Sequence, residues 1–178
     1  MRIVHGEFSG RRINLPKTLR ARPTTDQARE ALFNILMNRF DFPEIRVLDL
    51  FSGTGSITYE FASLGCQNIT SVEIDRFHAA TIQKNCLILN ISDIINVIRS
   101  DAFRFIEQSS ALFDLVFADP PFNLPDFASI PDKIAISKIV KPGGTFILEH
   151  GPANSFERHP HFIEIRKYGK VRFSFFSL

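Results

Sequence analysis

Three features of this sequence predict an α/β fold built on a mostly parallel sheet with helices on both faces. From Arg46 to Glu149, short apolar runs of strand length alternate with stretches of helix length, and regular βα alternation implies a parallel sheet covered on both sides. The first of these runs, Val47-Leu48-Asp49-Leu50, enters a glycine-rich turn that opens a helix, and ligands of such sheets sit beyond the carboxyl ends of the strands. After Glu149 the alternation stops, and two extended stretches around Tyr168-Gly169 read as an antiparallel hairpin.

The elements follow in order. Residues 2–7 and 11–15 are extended stretches around Ser9-Gly10 and predict a small N-terminal hairpin, followed by a basic, loop-rich arm to Pro23. Thr24 and Gln27 have capping-box spacing, and Ala28, Leu32, Ile35 and Leu36 form a helical apolar stripe, so a helix is expected from Thr24 to about Asn38. Strands are then expected at 47–50, 68–73, 94–98, 113–118 and 145–149, with helices at 56–64, 76–90, 101–108 and 131–140. The terminal hairpin spans 162–167 and 170–176, and no internal repeat is present. The chain is read as one domain, 1–178, with a basic arm at 1–23 and a core at 24–178.

Composition is that of an ordinary globular protein: 44% hydrophobic and 22% charged residues leave no room for a large disordered tail. No stretch approaches the roughly 18 uninterrupted apolar residues of a membrane span. The opening Met1-Arg2-Ile3-Val4-His5-Gly6 lacks the apolar core of a signal peptide, so a cytoplasmic protein with no membrane partner is expected. Cys66 and Cys86 stand apart, with no CxxC and no paired histidines, which predicts buried free thiols and no metal site. The net charge of +2 is unevenly spread. Residues 1–22 carry six basic side chains against Glu7, and residues 158–178 carry five against Glu164, which leaves an acidic middle. Basic ends on an acidic body suggest contact with a polyanion, because clustered Lys and Arg release counterions from phosphates.

The first chemical constellation is Asp49-Leu50-Phe51-Ser52-Gly53-Thr54-Gly55. Gly53 and Gly55 let the backbone approach a ligand closely. Thr58 occupies the third position of a GxGxxG pattern and is too bulky for close helix packing, which argues against NAD; no Gly-Lys-Ser/Thr follows, which excludes a P-loop. A carboxylate beside the loop repels a pyrophosphate and suits a ligand bearing an ammonium group, such as S-adenosylmethionine (SAM). Glu73 ends the second strand where an acid can take both hydroxyls of a ribose, and Asp101, followed by Ala102, ends the third and can accept from an adenine amine. Asp75 and Asp101 are also suited to capping helices.

The second constellation is Asp119-Pro120-Pro121-Phe122 at the end of the fourth strand. The proline pair stiffens the turn and leaves carbonyls without local donors, so Asp119 and the Pro120 carbonyl can accept hydrogen bonds from an exocyclic amine. Phe122 is placed to stack on a flipped-out base. Hydrogen bonds to both amine protons favour a pyramidal nitrogen whose lone pair can attack a methyl group held nearby.

These motifs resemble those of the SAM-dependent amino methyltransferases with an (Asp/Asn/Ser)-Pro-Pro-(Tyr/Phe/Trp) signature. Nearly the whole chain resembles one branch, the bacterial 16S rRNA guanine-N2 methyltransferases of the small-subunit methyltransferase D type. The resemblance is carried by Arg2-Ile3-Val4 to Gly10-Arg11-Arg12, by Arg22-Pro23-Thr24-Thr25-Asp26, by the glycine loop, and by Glu73-Ile74-Asp75, Asn85, Asp119-Pro120-Pro121-Phe122 and Glu149. The Arg-Pro-Thr-Thr-Asp stretch is its specific part. The resemblance implies the seven-stranded class I methyltransferase sheet, with Asp49, Phe51, Gly53, Gly55, Glu73, Ile74, Asp101 and Ala102 holding SAM. Ile74 would lie against the adenine, and Thr24 and Thr25 would close over the methionine end. Asp119, Pro120 and Phe122 would position a guanine, and Arg11, Arg12, Arg20 and Arg22 would meet ribosomal RNA of the small subunit, with the protein acting as a monomer. The proline-broken stretch from Leu124 to Lys133 departs from the family. Two rival readings remain: a DNA adenine-N6 or cytosine-N4 methyltransferase, which usually needs an added recognition domain, and a non-catalytic SAM- or RNA-binding assembly factor, which has no need of Asp119.

Overall fold

The computed structural model of the protein describes residues 1–13 and 26–178. Seven strands form one sheet: β1 (Arg46–Leu50), β2 (Asn68–Glu73), β3 (Ile95–Arg99), β4 (Phe113–Ala118), β5 (Val140–His150), β6 (Phe162–Tyr168) and β7 (Val171–Ser177). Their order is β3-β2-β1-β4-β5-β7-β6. The pairs from β3 through β5 are parallel, and β7 runs antiparallel to both β5 and β6. The chain therefore steps outward from β1 to β3 and returns beside β1 as β4. That reversal opens a crevice beyond the carboxyl ends of the strands.

Among the described residues, five α-helices cover the sheet: α1 (Asp26–Leu36), α2 (Ser56–Ser63), α3 (Arg76–Leu89), α4 (Ala102–Gln108) and α5 (Ile130–Ser137). Alternation along the strands divides the core in two. Val47, Ile69, Leu115, Phe117, Ile147, Phe173 and Phe175 pack toward α1, α2 and α3. Leu48, Leu50, Val72, Val116, Phe146, Leu148 and Phe176 pack toward α4 and α5. α1 adheres through Leu32, Phe33 and Leu36, all fully buried, each contributing about 1.5–3 kcal/mol over an exposed position. Cys66 and Cys86 are free and buried, and burial pushes both thiols up to about 11.

Several boundaries differ from the sequence reading. Among the described residues the N-terminal hairpin reduces to one bridge, Arg2 with Arg12, and residues 14 and 15 of the expected second strand lie outside them. Residues 5–10 are turns, because the Glu7 and Phe8 N–H groups donate to the Ser63 carbonyl and hydroxyl instead of to a partner strand. Gly6 makes that docking possible: its φ is +72°, and a Cβ there would stand 1.8 Å from the Ser63 carbonyl oxygen. The helix read at 131–140 ends at Ser137, where Lys138 turns left-handed (φ 56°). β5 is longer than read, and its pairing with β4 shifts register between Phe113 and Leu115. The proline-broken stretch holds a short 3-10 turn, Phe127–Ser129, that leads directly into α5.

Candidate active site

A cavity of about 870 Å3 opens along the carboxyl edge of the sheet, within the roughly 300–1,000 Å3 usual for small-molecule sites. Its wall combines Phe51 and Gly53 after β1, Glu73 at the end of β2 with Ile74 after it, Asp101 and Ala102 after β3, and Asp119, Pro120 and Phe122 after β4. Residues from both sequence constellations thus share one space.

The loop after β1 is held from two sides. Ser52 N–H donates to the Val72 carbonyl at 3.1 Å, and Gly53 N–H donates to Glu73 Oε2 at 2.7 Å. Phe51 adopts a left-handed backbone (φ 59°), an uncommon conformation for a bulky residue, and its ring meets Phe103 edge-on. Glu73 Oε1 accepts from Asp75 N–H at 2.8 Å. Both Glu73 oxygens are thereby fixed by backbone donors, and each keeps a second lone pair. Ile74 is 62% exposed, an apolar surface on the cavity wall.

Asp75 and Asp101 are the N-caps of α3 and α4: Asp75 accepts from Phe77 and His78 N–H, and Asp101 from Arg104 N–H. Those bonds, led by His78 N–H, hold the Asp75 carboxyl below its ordinary value.

Asp49 and Gly55 stand behind the cavity wall. Strand alternation places Asp49 on the face of Val47, toward α2, where it is 1% exposed and accepts from Thr58 Oγ1 at 2.6 Å. Gly55 (φ 87°) precedes α2, and a Cβ there would lie 2.8 Å from the Tyr59 ring. Its requirement is packing of the helix start. Burial pushes the Asp49 carboxyl up from 3.8 to about 7, opposed by the Thr58 bond and aided by the Asp119 charge. Because the folded value lies above the unfolded one, the stability from this group is complete below about 4 and is lost as pH rises through about 7. Asp49→Asn is therefore expected to raise the thermal midpoint at pH 8 and to flatten its fall between pH 4 and 7. Unchanged pH dependence of thermal unfolding would refute this.

Asp119 N–H approaches the Leu50 carbonyl at 3.4 Å, and after Pro120 and Pro121 the chain turns at Phe122 and Asn123, closed by Leu124 N–H donating to the Pro121 carbonyl at 2.8 Å. Phe122 is 53% exposed. Its ring packs edge-on against Phe127 and lies against Gly151, 3.3 Å from where a Cβ would stand. Glu149, at the end of β5, also lines the cavity. His150, buried next to it, bonds the Gly151 carbonyl and Ser174 and is held below its ordinary value by burial first.

Sequence reasoning missed Gln27 and His78 on the wall, and the β6–β7 turn, where Tyr168, Gly169, Lys170 and Val171 form a further part of it. The signal for the turn was topological: a strand antiparallel to β5 must start at the edge where β5 ends. Arg11 lies over the Phe8 ring, next to Ser63. Ser63 ends α2, about 10 Å along the helix axis from its start near the cavity. Arg12 is exposed beside Arg2. Thr24, Thr25, Arg20 and Arg22 lie outside the described residues. No helix among the described residues is long and apolar enough to cross a membrane.

The sheet order and crevice are those of the class I methyltransferases. The Escherichia coli protein yhhF superposes with a TM-score of 0.86 at 27% identity, covering 99% of this chain and 97% of that one. An RNA methyltransferase from Salinibacter ruber, solved with S-adenosyl-L-homocysteine, shares the fold at a TM-score of 0.68 and 16% identity, over 87% of this chain and 92% of its own. Ribosomal RNA small subunit methyltransferase D of Escherichia coli is 34% identical over 123 residues, 69% of this chain, and the match spans 61% of that protein. The model of one family, conserved hypothetical protein 95, matches residues 1–177, and the chain belongs to that family.

Proposed function

We propose that the protein transfers a methyl group from SAM to the exocyclic N2 of a guanine in 16S rRNA of the small ribosomal subunit. The observation that carries this reading is the shared cavity. The backbone-fixed carboxylate of Glu73 and the exposed Ile74 line the same space as Asp119, Pro120 and Phe122. Similarity to proteins named ribosomal RNA small subunit methyltransferase D supports the choice of RNA and subunit.

The donor set fits SAM. The second lone pairs of the Glu73 oxygens suit two ribose hydroxyls, with His78 Nδ1 3.9 Å from Oε1; Ile74 offers an apolar face to the adenine, and the Asp101 oxygen left over from capping suits its amine. No neighbour stands within 4 Å of a Cβ built on Gly53, so the loop leaves open space beside its backbone. Bound there, SAM would supply an electrophilic methyl on a sulfonium.

The protein's own part is positioning. Asp119 and the Pro120 carbonyl accept from the two amine protons, which keeps the nitrogen lone pair out of conjugation with the ring and directed at the donor. Phe122 holds the base by stacking. No covalent enzyme intermediate is required: as the N–C bond formed the S–C bond would break, releasing S-adenosyl-L-homocysteine, and the surplus amine proton would depart along its hydrogen bond to Asp119.

Glu73→Ala is expected to weaken SAM binding roughly 10- to 100-fold, the loss of about 1.5–3 kcal/mol of charge-assisted hydrogen bonding. Calorimetric titration with SAM checks this, and an unchanged affinity would remove Glu73 from the site. The function itself is tested by incubating the protein with methyl-labelled SAM and small ribosomal subunits from cells lacking the gene. Naked 16S rRNA and duplex DNA are run beside them, followed by nucleoside analysis. Labelled N2-methylguanosine in the subunits is the expected result. Label only in DNA overturns the RNA assignment, and SAM binding without any transfer makes the protein a non-catalytic binding factor.

A further inference from the structure

The tip of the β6–β7 hairpin carries a charge arrangement that the folded chain does not itself use. Lys167 and Arg172 are direct cross-strand partners, Lys170 sits in the turn between them, and Arg172 also pairs with His150 at the end of β5. Like charges directly opposite on a sheet repel. Among the described residues none of the three makes an ion pair; Glu164, the only acid of β6, is taken by Arg39 and Arg166. Lys167 and Lys170 are exposed and Arg172 is half-buried.

The location is specific. The hairpin turns at the carboxyl edge, and Lys170 lines the same cavity as Asp119 and Phe122. Ser174 bonds the side chain of His150, and Phe176 packs toward α4 and α5. Alternation along β7 puts Arg172 on that same face, with Lys167 opposite it. Phe122 lies on this side too, against Gly151 and Phe127. Arg11, by contrast, lies by the far end of α2.

We propose that Lys167, Lys170 and Arg172 form a clamp for backbone phosphates of the RNA strand that flank the base stacked on Phe122. A base drawn out of its stack brings its own phosphates to the rim of the pocket, and cations on a hairpin tip at that rim meet them without reading sequence. Phosphates also offset the Lys167–Arg172 repulsion, which gives the pairing a purpose in the complex that it lacks in the free protein. This inference rests on the RNA methyltransferase reading above and adds where the strand is gripped.

The test measures binding of the full chain to small ribosomal subunits from the gene-deleted strain, between about 50 and 200 mM salt. The unaltered protein is compared with Lys167→Gln and with Lys167→Gln/Arg172→Gln. Each cation removed is expected to lower the slope of log affinity against log salt by about one. Affinity for SAM should hold, and the thermal midpoint of Lys167→Gln should not fall, because the substitution removes a like-charge pair. Equal slopes in the unaltered and substituted proteins overturn the clamp and leave the methyltransferase reading intact. A lowered midpoint with equal slopes assigns the pair to the fold and also overturns it. If the unaltered protein fails to bind the subunits at all, the ribosomal reading falls, and the clamp with it.

Discussion

Asp119→Ala is expected to lower methyl transfer by about a hundred- to a thousandfold, the range seen when one positioned hydrogen-bonding group is removed from around a reacting centre. SAM binding should be largely spared, because Glu73, Ile74 and Asp101 lie on other strand ends. Single-turnover transfer to small ribosomal subunits, with SAM affinity measured on the same preparation, separates the two effects. The variant also removes the like charge that helps raise Asp49, so the Asp49 titration should shift downward in parallel. Near-normal turnover of Asp119→Ala would end the amine-positioning role.

The largest effect on stability is expected at Glu60, a residue that the sequence reading did not single out. Its carboxylate is fully buried between Arg29 Nε, at 3.0 Å, and the Val4 and His5 N–H groups, at 2.9 and 3.1 Å. Arg29, also fully buried, reaches on to the Arg2 carbonyl and to Asp26. One ion pair thus ties the N-terminal segment to α1 and α2, next to Gln27 on the cavity wall. Removing one partner of a buried pair costs about 3–5 kcal/mol, because the other charge stays desolvated. Arg29 Nη1 already lacks a partner among the described residues. Glu60→Ala should therefore lower the thermal midpoint by on the order of 10 °C for a chain of this size, read by circular dichroism. A midpoint within 2–3 °C of the unaltered protein, a change of only about 1 kcal/mol, would show that the pair contributes little.

Legibility tracked the range of the interactions involved. The strand ends at Glu73 and Ala118 and the helix starts at Arg76 and Ala102 were readable because they rest on local patterns: apolar runs, glycine turns and acidic caps. The end of α5 was not, since Lys138 takes a left-handed conformation usually given to Gly or Asn. The N-terminal hairpin was over-read because the competing hydrogen-bond acceptor, Ser63, lies more than fifty residues away in the chain.

Taken alone, the sequence determined the α/β alternation, the terminal hairpin, the glycine loop and the presence of Asp119-Pro120-Pro121-Phe122, because each is encoded within a few neighbouring residues. Only the tertiary structure decided which of those residues face the cavity. Strand alternation turned Asp49 toward α2, the start of α2 packs against Gly55, and the antiparallel β6–β7 hairpin carried Lys167, Lys170 and Arg172 to the carboxyl edge of the sheet. Such outcomes depend on which strand lies beside which, and that is set by burying two apolar faces at once.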